Sequence, residues 1–131
     1  MALILVIDDD PAMRRLVMRV LAGRHRLIES ENGAEGLRLR AQHQPDLIIT
    51  DLLMPQKEGI ETMREVKQLA PATKIIAISG GAAPYLMYLD MARSLGADAV
   101  LAKPFRPAEL SDAVERLLAG IGGTGRRATQ Q

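Results

Sequence analysis

Apolar positions along the chain fall into two alternating patterns. Short unbroken runs (Leu3–Ile7, Leu47–Thr50, Lys74–Ile78 and Ala99–Ala102) read as buried strands. Between them apolar residues recur at helical spacing. Leu16, Val17, Val20 and Leu21 form one such face, and Ile60, Met63, Val66 and Leu69 form another. A further short strand is expected near Arg26–Glu29.

Punctuation residues set the boundaries. Asp10-Pro11 supplies an N-cap followed by proline at the first helical position, and Gly23 ends that helix. Asn32 caps a helix from about Ala34 to His43, and the third strand is Asp46–Thr50. The helix over Ile60–Leu69 stops at Ala70-Pro71, and the fourth strand, Lys74–Ser79, opens into Gly80-Gly81. A helix near Pro84–Leu95 ends at Gly96, the fifth strand is Ala99–Ala102, and Pro107 begins a last helix ending near Ala119 or Gly120. Five strands alternating with five helices predict an α/β fold, a doubly wound five-stranded parallel sheet. Residues 1–120 form one domain, and 121–131, glycine-rich and polar, form a flexible C-terminal tail.

That topology gives the polar residues at the strand ends their meaning. Parallel strands of one open sheet deliver their carboxyl ends to a common edge, where such folds bind ligands. The first strand runs into Asp8-Asp9-Asp10 and the third into Asp51. The fourth ends on Ser79, and the fifth runs into Lys103-Pro104. Carboxylates, a hydroxyl and an ammonium therefore converge in one crevice.

Composition narrows the chemistry. At 131 residues the chain is long enough for one core and too short for two. Hydrophobic residues make up 47% with only two Tyr and one Phe, so the core is aliphatic. Seventeen basic residues against sixteen acidic ones leave a net charge of +1, without the basic footprint of a nucleic-acid binder. The absence of cysteine excludes disulfides, thiolate nucleophiles and thiolate metal sites. The opening residues form neither a signal peptide nor a membrane span, so a cytoplasmic setting without membrane contact is expected.

Adjacent carboxylates repel unless a cation lies between them. A hard divalent ion with oxygen ligands fits Asp8 and Asp9, and Mg²⁺ binds through few carboxylates. Asp10, next to Pro11, reads as the helix cap. Asp51 can attack a phosphoryl group and hold it as an acyl phosphate, and it can add an oxygen to the metal. Lys103 provides a mobile point charge for a phosphate oxygen. Ser79 can donate a hydrogen bond to such an oxygen, and Gly80 and Gly81 let backbone approach it. A lone lysine or serine after a strand is commonly an ordinary surface group; the argument rests on their joint placement. Pro104 restricts the backbone at Lys103 and makes a cis peptide an option.

Together these residues resemble the receiver domain of two-component response regulators, of the stand-alone, CheY-like kind with a (βα)5 flavodoxin-like fold. The likeness covers residues 3–119. Asp8 and Asp9 match the family's Mg²⁺-holding acidic pair, Asp51 its phosphoacceptor, Ser79 its Thr/Ser and Lys103 its lysine. Met54-Pro55 with Gly59, Leu95-Gly96-Ala97 and Lys103-Pro104-Phe105 match further family motifs. The resemblance implies that the Leu53 backbone carbonyl also binds the metal. It further implies that a histidine kinase or histidine phosphotransfer protein donates the phosphoryl group to Asp51, and that the domain is a signalling module, not an enzyme, with possible intrinsic hydrolysis of the aspartyl phosphate. Output would pass through contacts with a downstream protein whose identity is open, with no direct nucleic-acid binding, as a monomer or a phosphorylation-dependent dimer.

One departure concerns Val100, which stands where the family usually carries a Tyr or Phe that swings inward. Signalling is therefore expected to use ordering of the Ser79–Ala83 loop and a shift of the Pro84–Leu95 helix. Tyr85, Met87, Tyr88 and Met91 enrich that helix in residues typical of interfaces, while Leu86 and Leu89 read as core. Arg14 and Arg15 on the first helix are candidates for docking the phosphodonor or for a solvated basic face, and Arg126-Arg127 reads as solvation. The alternative reading is a receiver-like binding module that is never phosphorylated, which Val100 favours and the intact Asp8, Asp9, Asp51, Ser79 and Lys103 oppose. An aspartyl phosphatase with Asp8-x-Asp10 is disfavoured by Pro11 and by the lack of a cap domain. No Gly-x-Gly-x-x-Gly follows the first strand, which disfavours a dinucleotide binder.

Overall fold

The computed structural model describes residues 1–52, 58–79, 90 and 92–121, the side chains of residues 58 and 121 excepted. Five strands form one parallel sheet: β1 (Leu3–Ile7), β2 (Arg26–Ser30), β3 (Leu47–Asp51), β4 (Lys74–Ser79) and β5 (Ala99–Ala102), in the order β2-β1-β3-β4-β5. Around it lie α1 (Pro11–Leu21), α2 (Gly33–His43), α3 (Glu58–Leu69) and the C-terminal helix α4 (Pro107–Ile121), with residues 92–94 also helical. The predicted helix near Pro84–Leu95 lies mostly outside the described residues, as do Gly80, Gly81, Tyr85, Met87, Tyr88 and Met91.

The sheet divides the core in two because strand side chains alternate between faces. Ile4, Val6, Leu47, Ile49, Ile76 and Ile78 pack with Val17 and Leu21 of α1 and Leu110, Ala113 and Val114 of α4. Leu5, Ile7, Ile48, Ile75 and Ala77 pack on the other side with Met63 and Val66 of α3 and with Ala92. Helices on both faces make the sheet doubly wound, as the strand and helix pattern predicts.

The predicted caps form. The Asp10 side chain accepts the Ala12 N–H at 3.0 Å, and that of Asn32 accepts the Glu35 N–H at 2.8 Å. Gly23 follows α1 with φ +85°, a conformation that side chains disfavour.

Two expectations are corrected. Leu69 keeps helical phase with Ile60, Met63 and Val66 but is 61% exposed, because helical phase sets a side chain's direction and not the extent of the layer beneath it. β5 reads as a buried strand, yet all four of its residues are only half-buried, because it forms an edge of the sheet. α4 runs to Ile121, close to the expected end near Ala119 or Gly120. Residues 122–131 lie outside the described set.

Candidate functional site

Strand register assembles the site. Ile7 of β1 pairs with Thr50 of β3, so Asp8 and Asp51, one residue further along each strand, emerge level with each other. β1 and β3 are also where the strand order reverses, leaving a crevice at the carboxyl edge. On the other side of β3, Ser79 ends β4 opposite Ala102 of β5, and the Lys103 N–H donates to the Ser79 carbonyl at 2.8 Å. The same register therefore places Lys103 just past the sheet edge.

Asp8, Asp9 and Asp51 offer carboxylate oxygens that lie within 4.8 Å of one another. Asp8 is 2% exposed and Asp51 is also buried, whereas Asp9 faces solvent. Lys103 reaches across β4 and places Nζ 3.0 Å from Asp51 Oδ2. Ser79 is fully buried. The Lys103–Pro104 peptide is cis, the isomer the sequence leaves open. Leu53, the expected source of a backbone ligand, lies outside the described residues.

Burial first, and the neighbouring charges after it, set the protonation of Asp8. Burial pushes its carboxyl up to about 6. The Asp10 N–H, donating to Asp8 Oδ1 at 2.9 Å, opposes that rise. Repulsion from Asp51 adds to it, Lys103 offsets part of it, and Asp9 adds more. A cluster of oxygen donors with uncompensated negative charge, partly open to solvent through Asp9, fits a hard divalent cation such as Mg²⁺. The donor set contains no nitrogen or sulfur ligand that would favour a softer metal.

Two further residues support the site in ways the sequence pattern does not show. Gly59, at the start of α3, lies against the end of β3, and a Cβ there would overlap the Asp51 carbonyl oxygen and crowd that of Leu52. The sequence marks this glycine only as part of a motif; the structure supplies its steric reason. Arg14 is not the freely solvated charge that its helical position suggests. Its Nη1 donates to the Asp8 carbonyl at 2.6 Å and its Nε donates to Glu29 Oε1 at 2.7 Å. A charged residue off the apolar stripe of a helix ordinarily signals solvent or a docking face, so the sequence offers Arg14 in those roles and not as a support for Asp8. Arg15, its neighbour, is exposed as expected.

The profile of the response regulator receiver domain matches residues 4–115. The chain is 32% identical over 117 residues to the chemotaxis protein CheY of Bacillus subtilis, covering 88% of this chain and 96% of that protein. It is 37% identical over 119 residues to the response regulator receiver protein CpdR of Brucella abortus, covering 88% and 95%. Among solved structures, a CheY-like receiver domain protein from Methanospirillum hungatei superposes with a TM-score of 0.85 at 25% identity, over 95% of this chain and 99% of that one.

Proposed function

The chain belongs to the response regulator receiver domain family, a family of signalling domains rather than classical enzymes, and from that membership we propose that Asp51 accepts a phosphoryl group from a phosphohistidine donor. The donor would be a histidine kinase or a histidine phosphotransfer protein. The observation that carries the reading is the grouping of the Asp8, Asp9 and Asp51 carboxylates, with the Lys103 ammonium on Asp51.

A carboxylate oxygen of Asp51 attacks phosphorus as the phosphorus–nitrogen bond to the donor imidazole breaks. The bonding pair leaves with the imidazole nitrogen, and an acyl phosphate remains on Asp51. Asp8, Asp9, Asp51 and the Leu53 carbonyl would hold Mg²⁺, which when bound would neutralise charge on the phosphoryl oxygens. Lys103 is already beside the nucleophile, and its flexible ammonium moves to a phosphoryl oxygen as charge develops there. Ser79, at the end of β4, donates to another phosphoryl oxygen. The added negative charge then alters the chain beyond Ser79 and the surface behind it, and the signal passes on by protein contact.

Beryllofluoride, which mimics a phosphoryl group on a carboxylate, tests this assignment. The wild-type protein with Mg²⁺ should give a bound fluorine NMR signal that Asp51→Asn lacks. A signal of equal strength from Asp51→Asn would show that the group sits elsewhere.

A further inference from the structure

We infer that Arg14 is a positioning residue for the acidic turn, holding the peptide between Asp8 and Asp9 so that their carboxylates group with Asp51. The inference rests on the proposed Mg²⁺ site and names a residue outside it. Asp8 is tied down at its backbone N–H, its backbone carbonyl and one carboxylate oxygen. Its N–H donates to the Ser30 carbonyl at 3.0 Å, and its Oδ1 accepts from the Asp10 N–H at 2.9 Å. Its carbonyl receives Arg14 Nη1 at 2.6 Å.

That carbonyl belongs to the peptide that joins Asp8 to Asp9. Rotation of the peptide would swing the exposed Asp9, the member of the cluster with least packing to restrain it. Arg14 resists the rotation because its own fork is anchored. Nε holds Glu29 of β2 at 2.7 Å, and the Arg14 side chain is only 16% exposed. A planar guanidinium presents Nε and Nη1 to the two acceptors from separate, fixed positions, whereas the donors of an ammonium all radiate from one atom. α1 thus links the edge strand to the acidic turn through one side chain.

Charge and position make opposite predictions here. A guanidinium near a dication repels it, so its charge alone would make Arg14→Gln bind Mg²⁺ more tightly. Positioning makes the same variant bind more weakly, by about 10-fold or more, as for other groups that orient metal ligands. Titration calorimetry with Mg²⁺ on wild type, Arg14→Gln, Glu29→Gln and Arg15→Gln separates the two. The expected result is weaker binding for Arg14→Gln and, to a smaller extent, for Glu29→Gln, with no weakening for Arg15→Gln, which removes the same charge from the exposed side of α1. Unchanged or tighter binding by folded Arg14→Gln overturns the inference. If Arg14→Gln does not fold, Glu29→Gln decides, since it releases the guanidinium without removing it.

A metal-free readout keeps this result separate from the functional reading. The Asp9 and Asp10 amide resonances should move in Arg14→Gln and stay in place in Arg15→Gln. Wild-type protein that bound no Mg²⁺ would overturn the proposed metal site. Unmoved amides would overturn the positioning role whatever the metal does.

Discussion

Lys103 Nζ stands 3.0 Å from Asp51 Oδ2, although 52 residues separate the two and β4 runs between their strands. The pair joins β5, an edge strand whose four residues are all half-buried, to β3, whose residues are all buried. An ammonium poised beside a nucleophilic carboxylate serves the reaction by meeting charge as it forms, without prior reorganisation. Lys103→Ala is expected to slow phosphoryl uptake from a small-molecule donor by about 100-fold, the cost typical of losing one charge-stabilising group. Single-donor uptake rates at saturating Mg²⁺ measure the loss.

Asp8 should make the metal-free protein less stable as the pH rises. Its carboxyl titrates at about 6 in the fold, against an ordinary value of 3.8. The folded state therefore holds the proton more tightly than the unfolded chain. The resulting stabilisation is fully present below about pH 4 and is lost as the pH rises through about 6. The difference corresponds to about 3 kcal/mol. Urea unfolding across this pH range should show the decline, and Asp8→Asn should flatten it. Because Mg²⁺ competes with the same proton, its affinity should fall as the pH drops below about 6.

Gly59→Ala places a methyl group against two successive backbone carbonyls, those of Asp51 and Leu52. Neither can yield as a side-chain end would, so the start of α3 must move. A loss of about 1–3 kcal/mol is expected from the forced repacking, together with weaker Mg²⁺ binding because Asp51 shifts with its carbonyl. Unfolding midpoints and Mg²⁺ titration check the two effects separately.

Lys67 provides a contrast at the opposite edge of the sheet. Its Nζ donates to the Thr73 carbonyl at 2.8 Å and pairs with Asp98 at 3.0 Å, while Asp98 accepts the Ile75 N–H at 2.8 Å. This network ties the end of α3 to the entry of β4 and β5. Lys67→Met should cost about 2 kcal/mol, the scale of a hydrogen bond to a charged group, and leave the rate of phosphoryl uptake unchanged. Thermal unfolding and uptake rates together test that separation.

The strands and the residues at their ends were legible because burial on both faces of a parallel sheet writes itself as unbroken apolar runs. A polar residue that stops such a run is conspicuous, and Asp8, Asp51, Ser79 and Lys103 all stand there. What the pattern hid depends on contacts between elements distant in sequence. Leu69 has the phase of a core residue, but what lies beneath it is set by the fold as a whole. β5 is as apolar as a central strand, and only the strand order makes it an edge. Arg14 looks like any helical surface charge, because its partners are a carbonyl on one element and Glu29 on another. Gly59 could be read as a motif, but the carbonyl oxygen that excludes a larger residue comes from the strand before it.

The account turns on Asp51 as phosphoacceptor, and intact-mass spectrometry after incubation with a small-molecule phosphodonor and Mg²⁺ tests it most directly. The predicted result is one acid-stable, base-labile phosphoryl group on the wild-type chain, absent from Asp51→Asn and from wild type stripped of Mg²⁺. A phosphoryl group that persists on Asp51→Asn, or a wild-type chain that binds Mg²⁺ yet takes up neither phosphoryl nor beryllofluoride, would contradict it.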